Sequence, residues 1–280
     1  MAESGPISQS PRLKAMLIPR EHGAWGMLLV PLVTGAVVAA GSGANYAALL
    51  CFLVLALSLF WLRTPAEAWL GTSAIKAQSS AERSAVVRLS LSLALVAGSA
   101  LAALVSMARI RGLLLIGCLA AAAFGVQLCV KSLGRAGRMP AQIIGAIGLT
   151  STAAGAFYVS TGRFDRLAVT LWIANWLFAA GQVHFVQVRI RGSRLATFSE
   201  KLRHSYGFLL GQSALAVAVP LASYSRFLPR YTLVAFAPSL VRGFLWYGRG
   251  LTPLDVHKLG FSELRQALLF GTLLCVVFLL

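Results

Sequence analysis

Charge is scarce in this chain, and acid is scarcest. Of 280 residues only 12% are charged, with eight Asp and Glu against 25 Lys and Arg. A soluble globular domain carries roughly 25% charged residues, so a soluble fold is excluded. Cysteine is equally uninformative. Cys51, Cys118, Cys129 and Cys275 lie in apolar runs without CxxC spacing, which supports neither a zinc site nor a disulfide framework. The phosphate loop GxxxxGK[ST], the zinc helix HExxH and the nucleophile turn GxSxG are all missing. Nucleotide hydrolysis on a P-loop, zinc proteolysis and serine hydrolysis thus have no motif to stand on.

What the chain has is apolar length. It is 58% hydrophobic, with a mean hydropathy of +0.77. A membrane-spanning helix takes about 20 mostly apolar residues. Nine runs meet that need: 23–41, 46–62, 86–107, 112–131, 140–160, 167–188, 206–222, 230–247 and 265–280. The expected fold is all-α, a polytopic membrane bundle of about nine helices in a single domain over 19–280. Residues 1–18 read as a polar, disordered tail. That tail has no apolar centre, so a retained first span is expected rather than a cleaved signal.

The net charge is +17, and its placement sets orientation. The amino-terminal tail and even-numbered loops hold 19 Lys and Arg, and the odd-numbered loops hold six: Arg109, Arg111, Arg163, Arg166, Arg226 and Arg230. The positive-inside rule then puts the amino terminus in the cytoplasm and the carboxyl terminus outside, in the inner (plasma) membrane. The expected partners are membrane lipids, through their anionic headgroups, and a phosphorylated substrate. Nucleic acid is a poor fit, because the basic residues are divided among short loops. The oligomeric state is not legible.

Candidate site residues gather on the cytoplasmic side. Arg20, Glu21 and His22 stand side by side before the first span, in Pro19-Arg20-Glu21-His22-Gly23-Ala24-Trp25. Glu67 follows Arg63 by four residues at the end of the second span, with Lys76 beyond, and Pro65 is expected to end or kink that helix. Lys131 and Arg138 flank the connection between spans four and five. Span six carries Asn175, Gln182 and Arg189 at sevenfold spacing, with His184, Gln187 and Arg191 on an adjacent stripe. Polar groups in lipid face the bundle interior or water, so this helix is expected to line a cavity. The alternative is helix–helix hydrogen bonding by the amides, with the arginines reaching the interface.

The opening stretch, followed by Met27-Leu28-Leu29-Val30-Pro31, resembles the signature of the YwiC-like family of bacterial membrane proteins. Val188-Arg189-Ile190-Arg191-Gly192 and Leu259-Gly260-Phe261-Ser262-Glu263-Leu264 are similar to that family as well. Topology also resembles the UbiA superfamily of membrane prenyltransferases, which carry N-D-x-x-D-x-x-x-D after helix 2 and a second acidic motif after helix 6. Those motifs bind Mg²⁺ and an isoprenoid diphosphate. Here Arg63 and Thr64 stand at N-D, Glu67 at the central Asp and Gly71 at the last, while Gln187-Val188-Arg189-Ile190-Arg191 replaces the second motif. The cofactor is therefore unknown: the resemblance implies Mg²⁺, but the few cytoplasmic acids give it poor support and no metal ligand is assigned. The resemblance implies a transferase acting on an isoprenoid or other phosphorylated lipid, in which Glu21 or Glu67, with His22, acts on an acceptor. Arg20, Arg63, Lys76, Lys131, Arg138, Asn175, Gln182, Arg189 and Arg191 then bind substrate. The other reading is a non-enzymatic transporter or lipid-binding accessory protein.

Overall fold

The computed structural model describes residues 11–19, 22–71, 77–134, 137–251 and 253–280, excepting the side chains of Pro11 and His22. Every element among them is a helix. Eight helical segments are long and apolar enough to cross a membrane, as backbone satisfaction in lipid requires. The chain divides into two compact units.

The first unit contains α1 (Pro11–Leu17), α3 (Tyr46–Trp69) and α4 (Ser80–Ser106). The tail expected to be disordered to residue 18 is thus helical over Pro11–Leu17. Burial explains the difference, because Met16 packs on Ala68 and Val86 with Leu13 and Leu17 beside it. Trp61 Nε1 also donates to the Leu17 carbonyl at 2.7 Å, and Arg12 pairs with Glu82 at 3.3 Å. Helix α3 runs past Pro65 for another turn, beyond the expected end at 62. Arg63 and Glu67 bridge that turn at 2.9 Å, and Gly71, at φ 71°, marks the helix stop. Ser79 and Glu82 form a reciprocal capping box that starts α4.

The second unit contains α2 (His22–Ala40), α5 (Ile110–Lys131), α6 (Arg138–Thr150), α7 (Thr152–Thr161), α8 (Arg166–Gly192), α9 (Phe198–His204), α10 (Tyr206–Tyr224), α11 (Thr232–Gly248) and α12 (Val256–Leu279). Its centre is α7, in which every residue from Thr152 to Ser160 is buried. Helix α2 can lie against it only because residue 35 is glycine. A Cβ there would overlap the Ala153 carbonyl oxygen, so the backbones meet directly. Thr152 Oγ1 completes the contact by donating to the Leu28 carbonyl at 2.9 Å. Trp172 and Trp176 of α8 donate to the carbonyls of Ile147 and Ile143 on α6. Farther along, Phe178 stacks on Phe270 at 3.9 Å, and Phe236 meets Phe270 edge-on.

Burial separates inner from outer segments. Of the residues in the most apolar stretch of the α6–α7 segment 67% are buried, against 11% in that of α5. The exposed leucines of α5, such as Leu114, Leu115 and Leu119, suit lipid. Helix α11, at 17 residues, stands at the lower edge of spanning length.

Candidate functional site

Helix α8 was expected to present a polar stripe, and the structure divides that stripe among several neighbours. Asn175 is buried and donates to Thr34 Oγ1 of α2 at 3.1 Å and to the Leu171 carbonyl at 2.9 Å. Thr34 in turn donates to the Pro31 carbonyl. Asn175 therefore ties two helices together. Gln187 Nε2 donates to Gln142 Oε1 at 3.0 Å. The His184 ring meets Phe208 edge-on at 5.3 Å.

Gln182 leads to a cluster that sequence reasoning missed. Its Oε1 accepts from an Arg242 guanidinium nitrogen at 2.9 Å. The same guanidinium grips both oxygens of Glu263, at 2.6 and 3.1 Å, and donates to Ser262 Oγ at 3.1 Å. The Phe185 ring lies 4.1 Å beneath it. A forked guanidinium–carboxylate pair over an aromatic face is among the strongest arrangements for a desolvated cation. The side chains of Arg242 and Glu263 are 19% and 17% exposed. Arg189 of α8 also lies within electrostatic reach of both. Two guanidiniums and one carboxylate leave this end of α8 with net positive charge.

The cluster has an unfinished edge. Arg242 Nε and Gln212 Oε1 are buried without a protein partner. Both line one enclosed space of about 10 Å³ with Gln182, Phe178 and Phe185. That is a donor and an acceptor around room for one water. Gln212 reaches the space because residue 243 is glycine. A Cβ at 243 would lie 3.0 Å from Gln212 Oε1 and 3.1 Å from Phe208.

A third cation is held nearby by different means. Lys201 of α9 is 1% exposed. Its ammonium donates to the Trp246 carbonyl at 2.6 Å and to the carbonyls of Tyr247 and Arg249. It also lies 4.4 Å from the Trp246 ring centre. It therefore closes the carboxyl end of α11, where carbonyls lack helical donors and the dipole is negative. Burial pushes the Lys201 pKa below its ordinary value, and the Arg189 charge adds to that push.

The other expected site residues are placed as follows. Arg63 and Glu67 form the exposed i,i+4 pair of α3 in the first unit. In the second unit Lys131 ends α5 and Arg138 starts α6, both exposed. Arg191 is exposed near the end of α8. Arg20, Glu21, Lys76 and the His22 side chain lie outside the described residues. Among the described residues, no group of three His, Cys, Asp or Glu could hold a metal.

The Arg242–Glu263 pair left a weak signal in the sequence. Reading the last span from 265 puts Glu263 in a loop, whereas α12 begins at Val256. Neutralisation by Arg242 lets the helix carry an acid inside its apolar run. Two opposite charges placed in adjacent spans would have suggested such a pair.

A family model described as YwiC-like protein matches residues 18–157. No curated protein and no solved structure matches the chain.

Proposed function

Because the chain belongs to the YwiC-like protein family and carries eight helices fit to cross a membrane, we propose that it is a non-enzymatic inner-membrane transporter or lipid-binding protein for a phosphorylated amphiphile. We count α11 as a ninth span and place the amino terminus in the cytoplasm. The support for both is the 19-to-six division of basic residues between the tail and even-numbered loops, with the span ends beside them, and the odd-numbered loops.

One observation carries the reading: Arg242 is forked onto Glu263 inside the second unit, with Gln182 on the same guanidinium. A phosphate makes the same fork as a carboxylate. An anionic headgroup can therefore exchange with Glu263 for Arg242, and Arg189 supplies a second positive charge. A ligand acts on such an equilibrium only through different affinities for the two arrangements. Glu263 is the competing anion that creates the difference.

The test is equilibrium binding of a prenyl diphosphate to protein in nanodiscs. Glu263→Gln removes the competitor and should tighten binding about tenfold, the equivalent of ~1.4 kcal/mol. Arg242→Lys keeps the charge but loses the fork, and should weaken binding by a similar factor. Weaker binding in Glu263→Gln would overturn the proposal.

The second reading is a UbiA-like prenyltransferase. It is favoured by Arg189 and Arg191, which occupy the positions where the resemblance expects the second diphosphate motif. Fixed guanidinium charge would then stabilise the departing diphosphate. Release of pyrophosphate from a prenyl diphosphate and an acceptor, lost in His22→Ala and Glu21→Gln, would establish that reading over binding alone.

A further inference from the structure

The other end of the second unit holds a larger feature that the Arg242 reading does not use. An open cleft of about 1050 Å³ lies between the start of α8, the end of α10 and the α10–α11 turn. Arg166, Arg226 and Arg230 line it, and all three are exposed. Among the described residues none of them forms an ion pair. Asp165, the acid nearest in sequence, also lines the cleft, and its Oδ1 accepts from the backbone N–H groups of Leu167 and Ala168. The remaining wall is largely apolar, with Leu167, Phe227, Leu228 and Leu233. Arg166 lies 6.0 Å from the Phe227 ring centre. Ser223 Oγ, on the same wall, is buried without a protein partner.

Backbone geometry adds a point about Arg226. It sits at φ 58°, in the left-handed region where glycine is favoured and a side chain is strained. The turn needs the conformation, since Arg226 N–H donates to Ser223 and Leu228 N–H to Ala222 at the end of α10. Glycine would serve the turn better. A guanidinium stands there instead, on the cleft.

We propose that this cleft binds the phosphate of an anionic phospholipid, with Arg166, Arg226 and Arg230 on the headgroup and the apolar wall against its glycerol and upper acyl chain. The cleft lies where helices end, which is the depth of headgroup phosphates. Three guanidiniums line the cleft against one carboxylate, Asp165, whose Oδ1 is engaged in capping α8, and that excess of donors suits a phosphate, which accepts forked bonds from more than one guanidinium. The apolar wall is what distinguishes a lipid from a free anion. The inference is independent of the Arg242 proposal, since the two sites share no residue.

The experiment is native mass spectrometry of the full chain released from detergent after exposure to phosphatidylglycerol, phosphatidylcholine or inorganic phosphate. Wild type should retain phosphatidylglycerol at least tenfold over phosphatidylcholine. The triple variant Arg166→Gln, Arg226→Gly, Arg230→Gln should lose that preference. The single variant Arg226→Gly should weaken it while leaving the unfolding midpoint unchanged or raised, which separates binding from folding. Arg163→Gln, outside the cleft, serves as the control and should retain the preference. Retention of inorganic phosphate without phosphatidylglycerol would overturn the lipid as the source of the phosphate. Equal retention of both lipids, or a preference that survives the triple variant, would overturn the site.

Discussion

At one end of α8, Arg242 is forked onto a carboxylate, bonded to Gln182 and Ser262 and seated on Phe185. At the other end, Arg166, Arg226 and Arg230 line an open cleft, and no described carboxylate pairs with any of them. Both ends are basic, yet the physics differs. A buried charge must be neutralised within the fold or it destabilises the fold. An exposed one is hydrated and remains available to a ligand. The first arrangement therefore suits stability and, on the proposal above, exchange with a ligand, and the second suits the recognition proposed for the cleft.

The largest expected effect tests the buried end. Glu263→Ala leaves Arg242 inside the bundle without its counter-charge and should cost about 3–5 kcal/mol. Chemical unfolding in detergent measures it. Replacing both partners by methionine should restore most of the loss. A double variant as unstable as the single would show that the pair is not the source. The triple cleft variant provides the contrast, with little change in stability expected.

Gly243→Ala probes the packing that admits Gln212 to the same end. The added methyl would meet Gln212 Oε1 and Phe208 at 3.0 and 3.1 Å. Overpacking of this kind costs about 1–3 kcal/mol. Arg226→Gly, which removes a side chain from a strained turn at the exposed end, should move stability the other way.

Lys201→Met sharpens the comparison through pH. Loss of the α11 cap should cost on the order of 1–2 kcal/mol near neutrality. The lowered folded-state pKa of Lys201 also fixes a sign. Between that value and the ordinary lysine value, the unfolded chain binds more protons than the folded one, so wild-type stability rises with pH there. Below that window both states are protonated and the contribution is flat. The rise should disappear in Lys201→Met when unfolding is followed as the pH rises to the ordinary lysine pKa.

What the sequence makes legible follows the same division between local and distant effects. Apolar runs are local, so nearly every expected span corresponds to a helix or helical segment. The polar stripe of α8 is also local, since sevenfold spacing alone puts Asn175, Gln182 and Arg189 on one face. Partners are distant. Asn175 meets Thr34 across 141 residues, and Gln182 meets Arg242 across 60. No periodicity announces such pairs. Boundaries fail for a related reason: α12 begins at Val256, capped by Asp255, and carries Glu263 paired to the distant Arg242, while in α1 Met16 is covered by Ala68 and Val86. Glu82, one of the chain's eight acids, is occupied by its capping box and Arg12.

The smallest expected effect bears on Glu67. Its partner Arg63 lies one turn back at 2.9 Å, and both side chains are more than 40% exposed, at 47% and 42%. An exposed i,i+4 pair contributes only about 0.3–0.5 kcal/mol, and less at high salt. Glu67→Gln should therefore unfold within about 0.5 kcal/mol of wild type, unlike Glu263→Ala. Where the unfolding midpoint is unchanged, functional loss in Glu67→Gln points to a role for that carboxylate beyond its pair with Arg63. Full prenyl diphosphate binding in Glu67→Gln, with binding altered in Glu263→Gln, would place ligand exchange at the buried pair. The reverse pattern would return the acid of α3 to the centre of the chemistry and favour the transferase.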